Sequence, residues 1–214
     1  IDWLGDIPAH WNAERIKWVA KLESGHTPDK QVPEYWVDCD VPWVSLNDTK
    51  RLENGDLIDE TTNQVNAAGL ANSSARILPA GAVVFSRDAT IGRCGITTRP
   101  MAVSQHFIAW LCGNRLEAKY LLFVLRSMTH ELNRITEGAT VKTIGMTDVK
   151  LLATPVPPIE EQKAIVAFIE RERRAVDVLI DMAQAAVARL TEYREGIISA
   201  AVTGKIDVRE EAEA

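Results

Sequence analysis

Three groupings in this 214-residue chain have side-chain types that catalyse reactions elsewhere, and each fails on spacing or context. Thr203-Gly204-Lys205 has the residue types that close a phosphate-binding loop, but such a loop needs its first Gly where Ser199 stands and should follow a strand. The triplet reads instead as the stop of a helix. Asp88 with Glu117-Ala118-Lys119 has the acids and the base of a metal-dependent nuclease; Glu117, however, opens a helical pattern rather than lying on a strand edge. Cys39, Cys94 and Cys112 are far apart with no Cys-x-x-Cys pair, and His10, His26, His106 and His130 fall at unrelated spacings. There is no Asn-Pro-Pro-Tyr or Asp-Pro-Pro-Tyr segment for amino-group methylation and no Gly-x-Gly-x-x-Gly cofactor loop. The expectation is a chain with no catalytic residues, no metal site and no cofactor, its thiols reduced and mostly packed.

The side chains left to do chemistry are the hydrogen-bond donors and cations of the polar loops. The formal charge of −6 argues at first against a nucleic-acid partner, since phosphate binding is dominated by Lys and Arg. Its distribution changes the picture: residues 1–60 carry −7, residues 61–158 carry +5 and residues 159–214 carry −4. A basic middle between acidic flanks is compatible with one DNA-facing surface. Charged residues make up 25% of the chain, and no apolar run approaches the ~20 residues that span a bilayer, so a cytoplasmic protein with no membrane partner is expected.

The elements that must position those loops separate into two regions, an α+β domain over residues 1–158 and a long helix within 159–214. In the first, short apolar bursts at 41–46, 82–87 and 102–111 are bounded by turn residues and read as strands of a small mixed sheet. Polar loops at 47–55 and 87–95 run between them. A helix is expected over 116–132, with Tyr120, Phe123, Val124, Ser127 and Glu131 on one face. Pro155, Pro157 and Pro158 then forbid regular helix and hold the chain extended, as a stiff hinge.

Beyond the prolines the period changes. Ile165, Ile169, Glu172, Val176, Leu179, Ala183, Ala186, Leu190, Tyr193 and Ile197 follow one another at alternating steps of four and three, and only Glu172 is polar. A 3.5-residue repeat of that length marks a coiled-coil-type helix that packs along another helix. Uninterrupted by Pro or Gly over 159–195, the rod is on the order of 55 Å long. The chain offers no second helix of that length, so the partner comes from another copy, from another half of the same polypeptide or from a different subunit; the alternative is a single long helix lying on its own domain. Ala183 and Ala186 let two helices approach closely. The acidic tail at 209–214 is expected to fray.

The segment Pro155-Val156-Pro157-Pro158-Ile159-Glu160-Glu161-Gln162-Lys163-Ala164-Ile165-Val166 closely resembles the join between a target-recognition domain and the conserved helix of type I restriction-modification specificity subunits. Glu160 and Glu161 also suit the positive end of a helix dipole, so the motif makes physical sense as a helix start. Other pieces of that family's pattern occur in order: Ile1 to Trp11, Ser24-Gly25-His26-Thr27-Pro28, Val41-Pro42-Trp43-Val44, Leu78-Pro79-Ala80-Gly81, Ala89-Thr90-Ile91-Gly92, Glu137-Gly138-Ala139-Thr140 and Ser199 to Asp207. Such subunits usually hold two recognition domains and two helices. One of each here, and a start at Ile1, suggest a half: the C-terminal half, or a short specificity protein that dimerises.

The resemblance implies a role without catalysis: to read one half of a bipartite double-stranded DNA target, to pair helices with a second copy or other half so that two readers sit a set distance apart, and to dock methyltransferase (modification) subunits and, through them, the restriction subunit. On that reading, Asn47, Arg87, Gln105 and His106 are the candidates for base edges, since Arg suits guanine and Asn or Gln suits adenine. Thr27, Lys30, Lys50, Arg51, Thr90, Arg93, Lys142 and Thr143 are the candidates for phosphates. The competing readings are the recognition half of a restriction nuclease or methyltransferase, and a structural coiled-coil adaptor that makes no DNA contact.

Overall fold

The computed structural model describes residues 3–136 and 142–207. The chain opens with β1 (Asn12–Arg15), a single helical turn α1 (Ile16–Val19) and β2 (Ala20–Ser24). A loop with a 3-10 turn at Pro33–Trp36 leads to β3 (Val41–Val44), then α2 (Thr49–Asn54), β4 (Leu57–Ile58), β5 (Asn63–Val65) and α3 (Ala67–Ala71). The strands β6 (Val83–Ser86), β7 (Cys94–Thr97), β8 (Ala102–Val103) and β9 (Phe107–Cys112) follow in quick succession. The chain closes with α4 (Ala118–Ser127), α5 (Thr129–Arg134), α6 (Met146–Val149), β10 (Ala153–Val156) and α7 (Ile159–Val202). The architecture is α+β, three small sheets followed by one long helix.

The five-stranded sheet, ordered β2-β9-β6-β7-β4, supports everything else. Its middle strands are buried on both faces, and alternate residues go to opposite cores because successive side chains of a strand point to opposite sides. Val83 and Phe85 of β6 and Ile108 and Trp110 of β9 pack with α4 through Tyr120, Leu121, Leu122 and Leu125. Phe85 and Trp110 meet edge to face, ring centroids 5.6 Å apart. Val84, Phe107 and Ala109 face the other way, onto Val44, Leu52, Ile58, Leu78 and Met101. A smaller three-stranded sheet, β5-β3-β8, carries Trp43 and Val65, and β1 pairs with β10 alone.

Three elements differ from the sequence expectation. The stretch expected as a polar loop over 47–55 holds the helix α2, which Leu52 anchors in the core. The apolar run at 102–111 is two strands in two sheets, broken at Ser104-Gln105-His106, where Phe107 N donates to Ser104 O at 2.9 Å. The helix expected over 116–132 begins at Ala118 and breaks at Met128. There Ser127 and Thr129 hydroxyls bond the carbonyls of Val124 (2.8 Å) and Arg126 (2.9 Å), competing with the helical ladder. Glu117 caps α4, its carboxylate accepting from Tyr120 N at 2.5 Å.

The prolines hold the chain extended, as β10 against β1, with Pro155 opposite Ala13. The start of α7 is fixed by Gln162, a fully buried polar side chain. Its amide nitrogen donates to Arg115 O (2.9 Å) and Pro157 O (2.8 Å), and its oxygen accepts from Glu117 N (2.8 Å). Glu161 accepts from Trp11 Nε1 at 2.9 Å and contacts His10 Nε2 at 3.0 Å. Those bonds, Trp11 first, hold its carboxyl below the ordinary range.

The compact units are Ile1–Val166 and Ala167–Ala214, so the first two turns of α7 belong to the first. Ile165, the first seam position, packs against the main core with Val166. Along the rest of α7, Ile169 is half-buried and Val176, Leu179, Ala183, Ala186, Leu190, Tyr193 and Ile197 are exposed. Ile180 and Val187 lie three and four residues from seam positions and broaden the apolar stripe. The helix runs through Gly196 and stops at Gly204, whose φ of +71° closes a cap in which Lys205 N reaches Ala200 O at 2.8 Å. Among the described residues no helix is long and apolar enough to cross a membrane. Glu137-Gly138-Ala139-Thr140 and the tail at 209–214 lie outside the described residues.

Candidate nucleic-acid interface

The break between β8 and β9 creates the first part of the site. As the chain leaves one sheet for the other, it exposes Gln105 and half-exposes His106 at the mouth of a cleft of about 510 Å³. Thr27, Lys30 and Asn47 line the same cleft, so five candidate residues from three chain segments meet there. Each segment is tied down. Gly25 N donates to Phe107 O (3.2 Å) and His26 N to Val103 O (3.1 Å), which lays the loop carrying Thr27 and Lys30 on the break. Asn47 rides a turn held by the buried Asp48, which accepts from Ser45 N (2.9 Å) on one oxygen and from Thr62 N (2.7 Å) on the other.

Trp36 and Trp43 form the apolar wall, edge to face at 5.4 Å between centroids. Their indole nitrogens donate to Asp29 O (3.2 Å) and His26 O (3.3 Å), so the cleft meets mainly their hydrocarbon.

A second cleft, about 560 Å³, gathers Thr90, Arg93 and Lys142, with Arg126 and Glu53 on its wall. Arg126 is tied to Asp56 at 2.5 Å and to Gly55 O at 2.8 Å. Arg93 is held differently, by an ion pair with Glu53 at 2.6 Å in which both side chains are close to half-exposed. An ion pair so open to water is worth little and exchanges readily for another anion.

Asp88 joins the two clefts. One of its oxygens lies 2.8 Å from His106 Nδ1 of the first cleft, and the other accepts from the Thr143 hydroxyl, next to Lys142 of the second. Arg87 braces the junction, its Nε donating to Gln105 O (3.3 Å) and one terminal nitrogen to Ile144 O (3.0 Å). Lys50 and Arg51 are exposed on α2 and lie outside both clefts. Reading by residue type thus missed Asp88, Trp36, Trp43 and Glu53; for the tryptophans the turn residues around 25–30 and 38–42 were the available signal.

The thiols are poorly suited to nucleophilic chemistry. All three cysteines are free. Burial pushes Cys94 up to about 11 and Cys112 up to about 12, and Cys39 is raised by burial and then by Asp40 and Asp38. Each therefore stays a protonated thiol near neutral pH.

Comparison with known proteins matches the same residues to one family. The chain is 27% identical over 168 residues to the MjaIX specificity subunit of Methanocaldococcus jannaschii, covering 78% of this chain and 38% of that one. With the HindI specificity subunit of Haemophilus influenzae it shares 24% over 207 residues, 94% of this chain and 42% of the other. The chain thus spans about two-fifths of the length of these relatives. The crystal structure of the HsdS subunit from Thermoanaerobacter tengcongensis shares its fold, with a TM-score of 0.67 at 23% identity over 95% of this chain and 47% of that one. The family model described as the type I restriction modification DNA specificity domain matches residues 8–178, most of the α+β domain together with the start of α7, and the chain therefore belongs to that family.

Proposed function

We propose that the chain reads one half of a bipartite double-stranded DNA target as part of a type I restriction-modification enzyme, and that it has no catalytic centre of its own. The observation that carries this reading is convergence. Ten of the twelve candidate donors, scattered from Thr27 to Thr143, meet in two clefts and the Asp88 junction between them. The first cleft combines neutral donors and acceptors and one cation, Lys30, with apolar walls, which suits base edges beside a phosphate; the second gathers Arg93, Arg126 and Lys142 around Glu53, which suits phosphate. Residues 1–158 act as the recognition domain. The helix beyond them joins a second copy or another half through its apolar seam and sets the distance between two readers, as in any dimeric reader of paired half-sites. Methyltransferase subunits dock on this assembly in the cytoplasm, and the restriction subunit joins through them.

The test is binding of the assembled protein to duplex DNA across a salt series. Each phosphate contact contributes about 0.9 to the slope of log affinity against log salt, so Arg93→Ala and Lys142→Ala should each flatten it by about one contact without changing sequence choice. A wild-type protein with neither salt dependence nor sequence preference would leave the coiled-coil adaptor as the better reading. Cutting of DNA by the chain alone with magnesium would favour the nuclease.

A further inference from the structure

Asp88 was assigned neither to bases nor to phosphates, yet its carboxylate is only 14% exposed and both oxygens are committed, one to His106 Nδ1 at 2.8 Å and one to the Thr143 hydroxyl. Main-chain bonds lock it there: Arg87 N to His106 O at 3.0 Å, Ile144 N to Arg87 O at 2.9 Å and Ala89 N to Lys142 O at 2.9 Å. Next to it Ala89 sits at φ +58°, inside a three-residue turn that Thr90 N closes on Asp88 O at 2.6 Å. A non-glycine residue held in that region is strained, and it persists only where the surroundings over-determine it.

The chemistry of the pairing has a direction. A carboxylate can only accept, so His106 Nδ1 carries a proton; that pairing fixes the tautomer in which Nε2 is the nitrogen left with a lone pair. The one hydroxyl hydrogen of Thr143 is spent in the same way, which leaves its oxygen accepting on its other side. We propose that Asp88 is a positioning residue that sets His106, with Thr143 beside it, to accept, so that the site selects a base edge bearing an exocyclic amino group, adenine N6 or cytosine N4, over the keto oxygens of guanine and thymine. The assignment rests on the reading of this surface as a DNA interface.

Asp88→Asn keeps the shape but supplies an NH2 group, so one of the two partners must turn its acceptor inward and its donor outward. The assembled protein, wild type or Asp88→Asn, is offered a randomised duplex library, and the bound DNA is sequenced. The expected result is a preference for adenine or cytosine at one position that relaxes, or moves to guanine or thymine, by about tenfold while the other positions stand. An unchanged base ranking, with affinity intact or uniformly lower, overturns the assignment.

A second measurement does not depend on Asp88→Asn folding. The wild type is titrated with duplexes in which each adenine of the selected half-site is replaced in turn by purine, and each cytosine by its analogue lacking the amino group. One replacement should weaken binding about tenfold, and that penalty should vanish in His106→Phe. No penalty at any position, or one that persists undiminished in His106→Phe, overturns the assignment. A wild type that selects no sequence from the library fails earlier and differently, taking the DNA reading with it.

Discussion

Gly25 measures how closely the two loops of the first cleft approach. A Cβ there would sit 2.1 Å from Ser104 O and 2.4 Å from Val103 O, both main-chain atoms that cannot swing aside as a side chain would. Gly25→Ala must therefore push the loop bearing Thr27 and Lys30 off the β8–β9 break, at a cost of ~1–3 kcal/mol. Gly113→Ala, with nothing within 4 Å of its new methyl, should stay within about 0.5 kcal/mol of the parent. Denaturant melts of the two variants check the pair, and equal midpoints would contradict the close approach. The donors were legible one at a time, because residue type and loop position are enough to pick out Asn47, Arg93 or Gln105. Asp88 was not, because its importance lies in partners 18 and 55 residues away, a pairing that no local pattern carries. Arg87 shows the other side of the same limit: its type suggested guanine, while the structure gives much of its guanidinium to the carbonyls of Gln105 and Ile144.

At the scale of elements, periodicity found β3, β6 and α7 and blurred whatever depended on a change of partner. The run at 102–111 reads as one strand because both of its ends are apolar and buried; only the polar Ser104-Gln105-His106 between them marks the break, and nothing in that pattern says that β8 belongs to one sheet and β9 to another. The prolines and the acids that follow them read correctly as extended chain and helix start. What the pattern hid is Gln162, which a helix-dipole argument leaves idle and which in fact satisfies Glu117 N and two carbonyls inside the domain. Gln162→Leu has similar bulk but strands a buried N–H and two acceptors, so it should destabilise the chain by at least ~2 kcal/mol. The Glu117 amide should also exchange its hydrogen faster. Lys163→Ala, one residue on, removes only an exposed ion pair with Glu160 at 2.7 Å and should cost less than about 0.5 kcal/mol. If chemical denaturation found the two equivalent, Gln162 would be an ordinary helix residue and the joint would owe its order to the prolines, to the Glu161–Trp11 bond and to the packing of Ile165 and Val166.

For the molecule as a whole, α7 is the element that needs a partner. A helix of 44 residues is about 66 Å long, and helices in water draw most of their stability from burying an apolar face rather than from intrinsic propensity. Beyond Val166 that face is exposed: Leu179 is 64% accessible and Leu190 67%, with Val176, Tyr193 and Ile197 on the same stripe. The net charge of −6 opposes association of the chain with itself, and the apolar seam is the feature that supplies attraction. Leu179→Glu with Leu190→Glu places two like charges on that seam, three turns apart, and should leave a protein that sediments as a monomer, with weakened helical circular dichroism. The melting of the α+β domain should be unchanged, because its core ends with Ile165 and Val166. Arg174→Glu is the control, since it projects about 200° around the helix from Val176 and should leave assembly intact. A double variant that still self-associates would place the contact elsewhere, and with it would go the physical basis for two readers held at a fixed separation.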